Sequence, residues 1–401
     1  MKKITLLICL ALIASTALAI DTGFKMSGTL RNRMQLWTNY NPYAAAGESS
    51  FEKDGHTRNN ADTRLRWKFQ AHLDSKVKAV WQVEIGDIVW GKNGGKTGTD
   101  GVNVETKHAY LQYVYPKSNF GLRIGLQGWH DHRSLIFDSD FAALKMMYNF
   151  KEAKLAMYFA KDEEGDYDAD DDSDLFILTA KNKLLGADIV VSRKASGKDM
   201  NYWIMPYVTM EKNELKFDGM LGFNFGNVEG GALDGSGEDL TNFGYAVALN
   251  AQYDAGTKIK ADVLLTSGDD GEDPESSSKF NVMRSYYMNG LQILGYGIND
   301  SWGIAPGNDG IKQDAGTLTF ALSAEYPVKE DLKIFGAFGM ANTMEKVAEE
   351  TNIGTEFNLG ICKRIYKPLS VKAVAAYMIP GKIYDGSDNI MRLATLFQYD
   401  F

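Results

Sequence analysis

Apolar residues recur at every second position through most of this 401-residue chain. In the first run Phe24, Met26, Gly28, Leu30, Met34 and Leu36 fall on one face, and Lys25, Ser27, Thr29, Arg31, Arg33 and Gln35 on the other. Leu65, Trp67, Phe69, Ala71 and Leu73 repeat the pattern against Arg64, Arg66, Lys68, Gln70 and His72. Successive Cβ atoms of a strand point to opposite sides of a sheet, so a period of two marks a strand with unlike faces. Similar runs continue from 77–89 to 390–401, with no convincing amphipathic helix between them. The spacing predicts eighteen strands, with sixteen as the alternative count.

The connections restrict the architecture further. Asp74-Ser75, 116–119, Lys151-Glu152, Asn182-Lys183, 211–213, 254–256, 327–331 and 366–368 are short and rich in Asp, Asn, Pro and Gly, the residues that favour tight turns. Between them fall long polar segments at 39–60, 90–103, 128–140, 161–174, 226–242 and 268–313, and shorter ones near 193, 341–353 and 380–388. This alternation suits an all-β, transmembrane, antiparallel up-and-down β-barrel with short periplasmic turns and long extracellular loops. A β-sandwich also alternates, because one face of each strand is buried. Eighteen strands would make several sandwiches, however, and no linker divides the chain. The strands are about ten residues long, enough to cross a bilayer at a tilt. Tyr113, Tyr115, Tyr148, Phe150, Tyr377 and Tyr399 lie near strand ends, where an interfacial aromatic girdle belongs.

Composition removes other classes. Hydrophobic residues are 44% and aromatic residues 12%, too many for a disordered chain. Two cysteines make no disulfide scaffold, and a formal charge of −9 argues against a nucleic-acid partner. Ile4 to Ala14 is the one long apolar run; Lys2 and Lys3 precede it and Ala17-Leu18-Ala19 follows as an A-x-A cleavage site. Residues 1–19 are therefore expected to be a secretory signal peptide and 20–401 a single barrel domain. No lipobox precedes Cys9. Cleavage would take the charge from −9 to −11 and leave one thiol, Cys362.

Lipid on one face and lumen on the other make the inward residues the description of the conduit. A barrel of this strand number leaves an aqueous channel. Lys25, Arg31, Arg33, Arg64, Arg66, Lys68, Lys78, Arg123, Lys145, Lys154, Lys181, Lys216, Lys258, Lys260, Lys333, Lys372 and Arg392 are predicted to point inward. Inward acids are fewer: Glu84, Asp188, Asp218, Asp262, Glu325 and Glu356. The remaining acids cluster in loops, at 162–174 and 269–273. A positive lumen below an acidic rim is expected, and basic rings favour anions. The alternative is a solvated wall of weak selectivity. A parity error of one residue would turn each set to lipid, where a charge costs about 2–4 kcal/mol at midplane. Exchanging Arg31 and Arg64 for glutamate is expected to shift selectivity toward cations.

The segment 122–133, Leu-Arg-Ile-Gly-Leu-Gln-Gly-Trp-His-Asp-His-Arg, with Phe137 to Phe141 after it, resembles a stretch of alginate-export-type outer-membrane porins. Gly268-Asp269-Asp270 resembles an acidic external loop of that family. The resemblance implies an eighteen-stranded barrel with an Arg-lined lumen and places Arg123, Asp131 and Arg133 at or near the constriction. Leu126 stands where the family often has Arg, which weakens a dedicated polyuronate path. The alternating end, Met391 to Phe401, resembles the C-terminal recognition signal of bacterial outer-membrane barrels, so the barrel-assembly machinery is an expected partner. Outer-membrane lipid, lipopolysaccharide and small anionic solutes are the others.

Other motifs carry less. His130-Asp131-His132 lacks a third ligand pattern for a metal, and 166–174 lacks the central Gly and closing Glu of an EF-hand. No metal or cofactor is expected. Gly94-Gly95 and Gly230-Gly231 have no strand-to-helix context for phosphate, and G-x-S-x-G does not occur. His72 and His108 have no evident Ser partner, so a lipid hydrolase is the weakest reading. The sequence reads as a non-enzymatic outer-membrane porin passing small hydrophilic, anionic solutes by diffusion, with an acidic-polysaccharide channel as the alternative. It leaves open the oligomeric state and whether 268–313 enters the lumen.

Overall fold

The alternating segments pair antiparallel with their neighbours in sequence, and the last pairs with the first, in a computed structural model of the chain. The structure describes residues 23–41, 51–72, 74–98, 104–163, 172–194, 199–228, 240–273, 275–295, 297, 313–384 and 386–401. The expected signal peptide and most of the acidic 162–174 loop lie outside the described residues. The strands are β1 (Gly23–Thr38), β2 (Thr57–His72), β3 (Val77–Val89), β4 (Val104–Val114), β5 (Phe120–His130), β6 (Asp138–Asn149), β7 (Ala153–Glu163), β8 (Ser173–Asn182), β9 (Leu185–Arg193), β10 (Met200–Lys212), β11 (Leu215–Val228), β12 (Leu240–Asp254), β13 (Lys258–Thr266), β14 (Ser276–Ser277), β15 (Thr317–Lys329), β16 (Leu332–Val347), β17 (Glu350–Tyr366), β18 (Leu369–Pro380) and β19 (Ile390–Asp400). β14 is a two-residue parallel addition to β12. The other eighteen form the closed wall, the number the sequence predicts.

Closure matters because unpaired backbone polar groups cannot be tolerated against lipid. The seam runs from Thr29 opposite Asp400 to Thr38 opposite Met391. Phe401 extends it: its amide donates to the Gly28 carbonyl at 3.0 Å, and the Gly28 amide donates back at 2.7 Å.

Parity on the outer face follows the sequence. Phe24, Met26, Leu30 and Met34 are exposed, while Arg31, Arg33 and Gln35 between them are buried inside. Tyr115, Tyr148, Phe150, Tyr253, Tyr326, Tyr366 and Tyr399 are exposed near the short-turn end, and Trp90, Phe225, Phe243 and Tyr377 nearer the long-loop end.

Two differences from the sequence reading have physical reasons. The predicted loop 341–353 is strand. β16 runs on to Val347 and turns at Ala348-Glu349, both with positive φ (50° and 70°), straight into β17. Polar residues occupy both faces there, so the alternation fades although the pairing continues. The lumen is also not uniformly polar. Inward Tyr158, Leu175, Ile177, Val190, Trp203, Met205, Met220, Ala246 and Leu264 form an apolar patch, covered by Leu135, Ile136, Phe137, Phe280 and Tyr287 from two loops folded into the barrel. A second cluster sets Leu291, Ile293 and Leu294 against Trp37, Ala341, Met378 and Ile390.

Candidate functional site

One buried carboxylate shapes the turn between β5 and β6. Asp131 accepts the backbone amides of Arg133 (3.2 Å), Leu135, Ile136 and Phe137 (2.9 Å each). Burial raises its carboxyl above the ordinary aspartate range, against the pull of those four amides. The expected constriction residue Asp131 therefore sits inside the turn with no exposed surface.

Groups of the turn then reach three inward acids across the wall, two through side chains and one through a backbone amide. Arg133 donates to Asp218 on β11 (2.9 Å), to Asp262 on β13 (2.7 Å) and to the Tyr287 hydroxyl (2.9 Å). Tyr287 in turn donates to Asp262 at 2.7 Å. Burial, then the Asp262 charge, holds the Tyr287 hydroxyl well above its usual range, so it remains a donor. His132 bonds Asp218 through Nε2, its amide donates to Asp188 on β9 at 3.0 Å, and its ring stacks on Tyr207 at 3.7 Å. Tyr207 can lie flat because Gly186 of β9 is beneath it; a Cβ there would stand 2.2 Å from the Tyr207 ring. Gly186→Val should tilt Tyr207, break the stack and cost about 1–3 kcal/mol by overpacking. Thermal unfolding in detergent would register this as a lowered midpoint, and an unchanged midpoint would refute the stack's contribution.

The second loop answers the question about 268–313 for its described part. It enters the barrel. Met283 and Arg284 donate to the Ile136 carbonyl and Tyr286 to that of Ser134, so the two loops meet inside. Further on, Glu356 of β17 accepts the amides of Gln292 (2.7 Å), Ile293 (3.0 Å) and Leu294 (2.6 Å). Arg392 donates to the Gln292 carbonyl and to Gln35 (2.7 Å) and lies over the Trp37 ring. Expected to line the pore, Arg392 is instead covered by this loop, with no exposed surface.

On β1 and β2 the predicted arginines come together, in company with acids. Arg31 donates to Asp87 at 2.9 and 3.0 Å and Arg33 to Asp62 at 2.8 Å. Arg64 lies 3.8 Å from Glu84, and Arg66 bonds Glu84 directly. Asp62 and Asp87 thus join the inward acids that the sequence predicts. Asp62 shares the parity of Arg64 and Arg66, so the signal was present. Asp87 was hidden by a bulge at Gly86, where the register advances two residues on β2 and three on β3. Gly86 has φ 125°, and a Cβ there would stand 2.6 Å from the Thr63 carbonyl oxygen. The extra residue turns Asp87 inward. Arg64, Arg66 and Glu84 line a pocket of about 430 Å³ together with Asp138, Asp140 and Tyr286.

Nearer the short turns the balance changes. Lys25, Lys68, Lys78, Arg123, Lys145, Lys154, Lys181, Lys258, Lys260 and Lys372 face inward close to that end, and none has a carboxylate within 4.0 Å among the described residues. Three of them meet neutral groups: Arg123 donates to Gln112 (2.7 Å) and lies over Tyr110, Lys145 lies over Tyr158, and Lys372 over Phe335. Lys216 and Lys333, in the same zone, are paired with Glu211 and Glu325. No group of three metal-binding side chains occurs among the described residues.

No protein-family model and no curated protein matches the chain. Solved structures do. OccK9 (OpdG) of Pseudomonas aeruginosa aligns at TM-score 0.59 and 11% identity, over 94% of this chain and 98% of its own. A BenF-like porin from Pseudomonas fluorescens Pf-5 aligns at 0.57 and 12%, over 94% and 98%. Pseudomonas aeruginosa OpdK with vanillate aligns at 0.56 and 10%, over 94% and 100%. At such identity the likeness shows a shared fold, that of an outer-membrane porin barrel. The resemblance of 122–141 to alginate-export-type porins is not supported by these structures, which belong to a different group of porins.

Proposed function

We propose that the protein is a channel of a bacterial outer membrane through which small hydrophilic anions diffuse. The observation that carries this is the set of inward cations near the short turns without carboxylate partners. An unneutralised basic wall in a low-dielectric barrel focuses a positive potential on the axis, which concentrates anions and repels cations. Arg31, Arg33, Arg64 and Arg66 contribute differently. Arg64 and Arg66, beside Glu84, line a mixed-charge pocket that orients a solute and adds less net field, while the buried Arg31 and Arg33 are held by Asp87 and Asp62 in the wall. The porin fold favours transport over lipid hydrolysis. OpdK, which shares the fold, was solved with vanillate, a small aromatic carboxylate. The two loops that meet inside the barrel favour small solutes over an acidic polymer.

The test belongs on the lysines. Arg31→Glu would place a carboxylate against Asp62 and Asp87 and disturb the wall itself. Lys25→Glu combined with Lys68→Glu leaves those pairs intact. In planar bilayers under a potassium chloride gradient, the wild type should reverse on the chloride side. The double variant should lose roughly threefold or more of its chloride preference. Reversal on the potassium side by the wild type would overturn the reading.

A further inference from the structure

Beneath the 131–133 turn lies a cavity of about 330 Å³ outside the pocket described above. Lys145 of β6, Lys154 of β7 and Lys181 of β8 line it, with Tyr158, Tyr207 and His132. Lys154 and Lys181 are direct partners across the β7–β8 ladder. The Lys145 ammonium lies 4.5 Å over the Tyr158 ring. The lining holds one carboxylate, Asp188, already engaged by the Thr179 hydroxyl (2.7 Å) and the His132 amide (3.0 Å).

Adjacent strands are about 4.8 Å apart, so like charges on facing positions repel. Lys216 and Lys333, on the same wall, each bond an acid, Glu211 and Glu325. The three lysines here have none within 4.0 Å among the described residues, and two of them face each other directly. A monovalent anion would neutralise one of three ammonium groups; an anion of higher charge would relieve more of the repulsion at once. The volume is at the small end of ligand sites, which run from about 300 to 1,000 Å³. We infer that this cavity is a binding site for a compact oxyanion carrying two or more negative charges, of the phosphate or short dicarboxylate kind, beside the diffusion path. The inference rests on the anion-channel reading and deepens it: solutes of this class would pause here, held by the three lysines and the tyrosine hydroxyls.

The purified protein in planar bilayers with potassium chloride, titrated with phosphate, succinate or acetate at constant ionic strength, tests this. Phosphate, succinate or both should reduce the chloride current at concentrations where acetate does not, and which of them does so identifies the favoured ligand. Combining Lys145→Gln, Lys154→Gln and Lys181→Gln should raise the half-blocking concentration about tenfold or more. Lys216→Gln with Lys333→Gln, whose ammonium groups are paired with Glu211 and Glu325, should move it less than about twofold. Should the triple variant form no channels, Lys154→Gln alone, at an exposed position, should raise it about threefold. Equal block by acetate, block unchanged in the lysine variants of the cavity, or equal loss in the Lys216–Lys333 pair would overturn the site. A chloride-preferring wild type without multivalent block defeats this inference alone; a potassium-preferring wild type defeats the channel reading with it.

Discussion

Glu356→Ala should release the 289–294 segment from the wall, destabilise the barrel by about 3 kcal/mol or more, and raise its single-channel conductance. Glu356 has no exposed surface, and its two oxygens between them accept three consecutive backbone amides. Removing the carboxylate leaves three buried N–H groups unpaired, each worth roughly 1–3 kcal/mol, partly relieved by entering water. The apolar contacts of Leu291, Ile293 and Leu294 remain, so the segment should loosen without leaving altogether. Glu356→Gln retains one acceptor oxygen but turns a donor toward an amide, and should fall between alanine and wild type. Urea unfolding in lipid vesicles measures the first effect and bilayer conductance the second. Wild-type values in both for Glu356→Ala would show that the loop is held by something else.

Asp62→Ala should be similarly costly for a different reason. Asp62 is 1% exposed and Arg31 and Arg33 are 1% and 4%. Arg33 donates to it at 2.8 Å, and Arg31 lies 3.7 Å away. Breaking a buried ion pair from one side costs about 3–5 kcal/mol, because the surviving charge has lost both water and partner. Asp87 provides the internal control. It also bonds Arg31, but its side chain is 36% exposed, so water can take its place. Asp87→Ala should cost well under half as much. The comparison is made by urea unfolding of both variants in the same vesicles, and equal losses would contradict the role assigned to burial.

The wall was legible in the sequence because lipid enforces it. Phe24, Met26 and Leu30 must face outward, and once they do, Lys25, Arg31 and Arg33 can only face in. The interior was less legible. Its loops are held by carboxylates that accept backbone amides, and neither Asp131 nor Glu356 carries a spacing that announces this. A signal for the covered patch did exist: Leu175 to Leu178 and Ile189 to Val191 are apolar on consecutive residues, as strands buried on both faces are. Asp87 could not be read at all, because the bulge at Gly86 reverses which side of β3 faces in.

The arginines with acid partners and the lysines without them occupy different heights of one tube. Fixed charge therefore varies along the axis instead of being spread evenly. Ions driven by voltage pile up in such a profile in one direction and are depleted in the other. Through a single oriented molecule in symmetric salt, the current–voltage curve should consequently be bent, giving the pore the character of a weak diode.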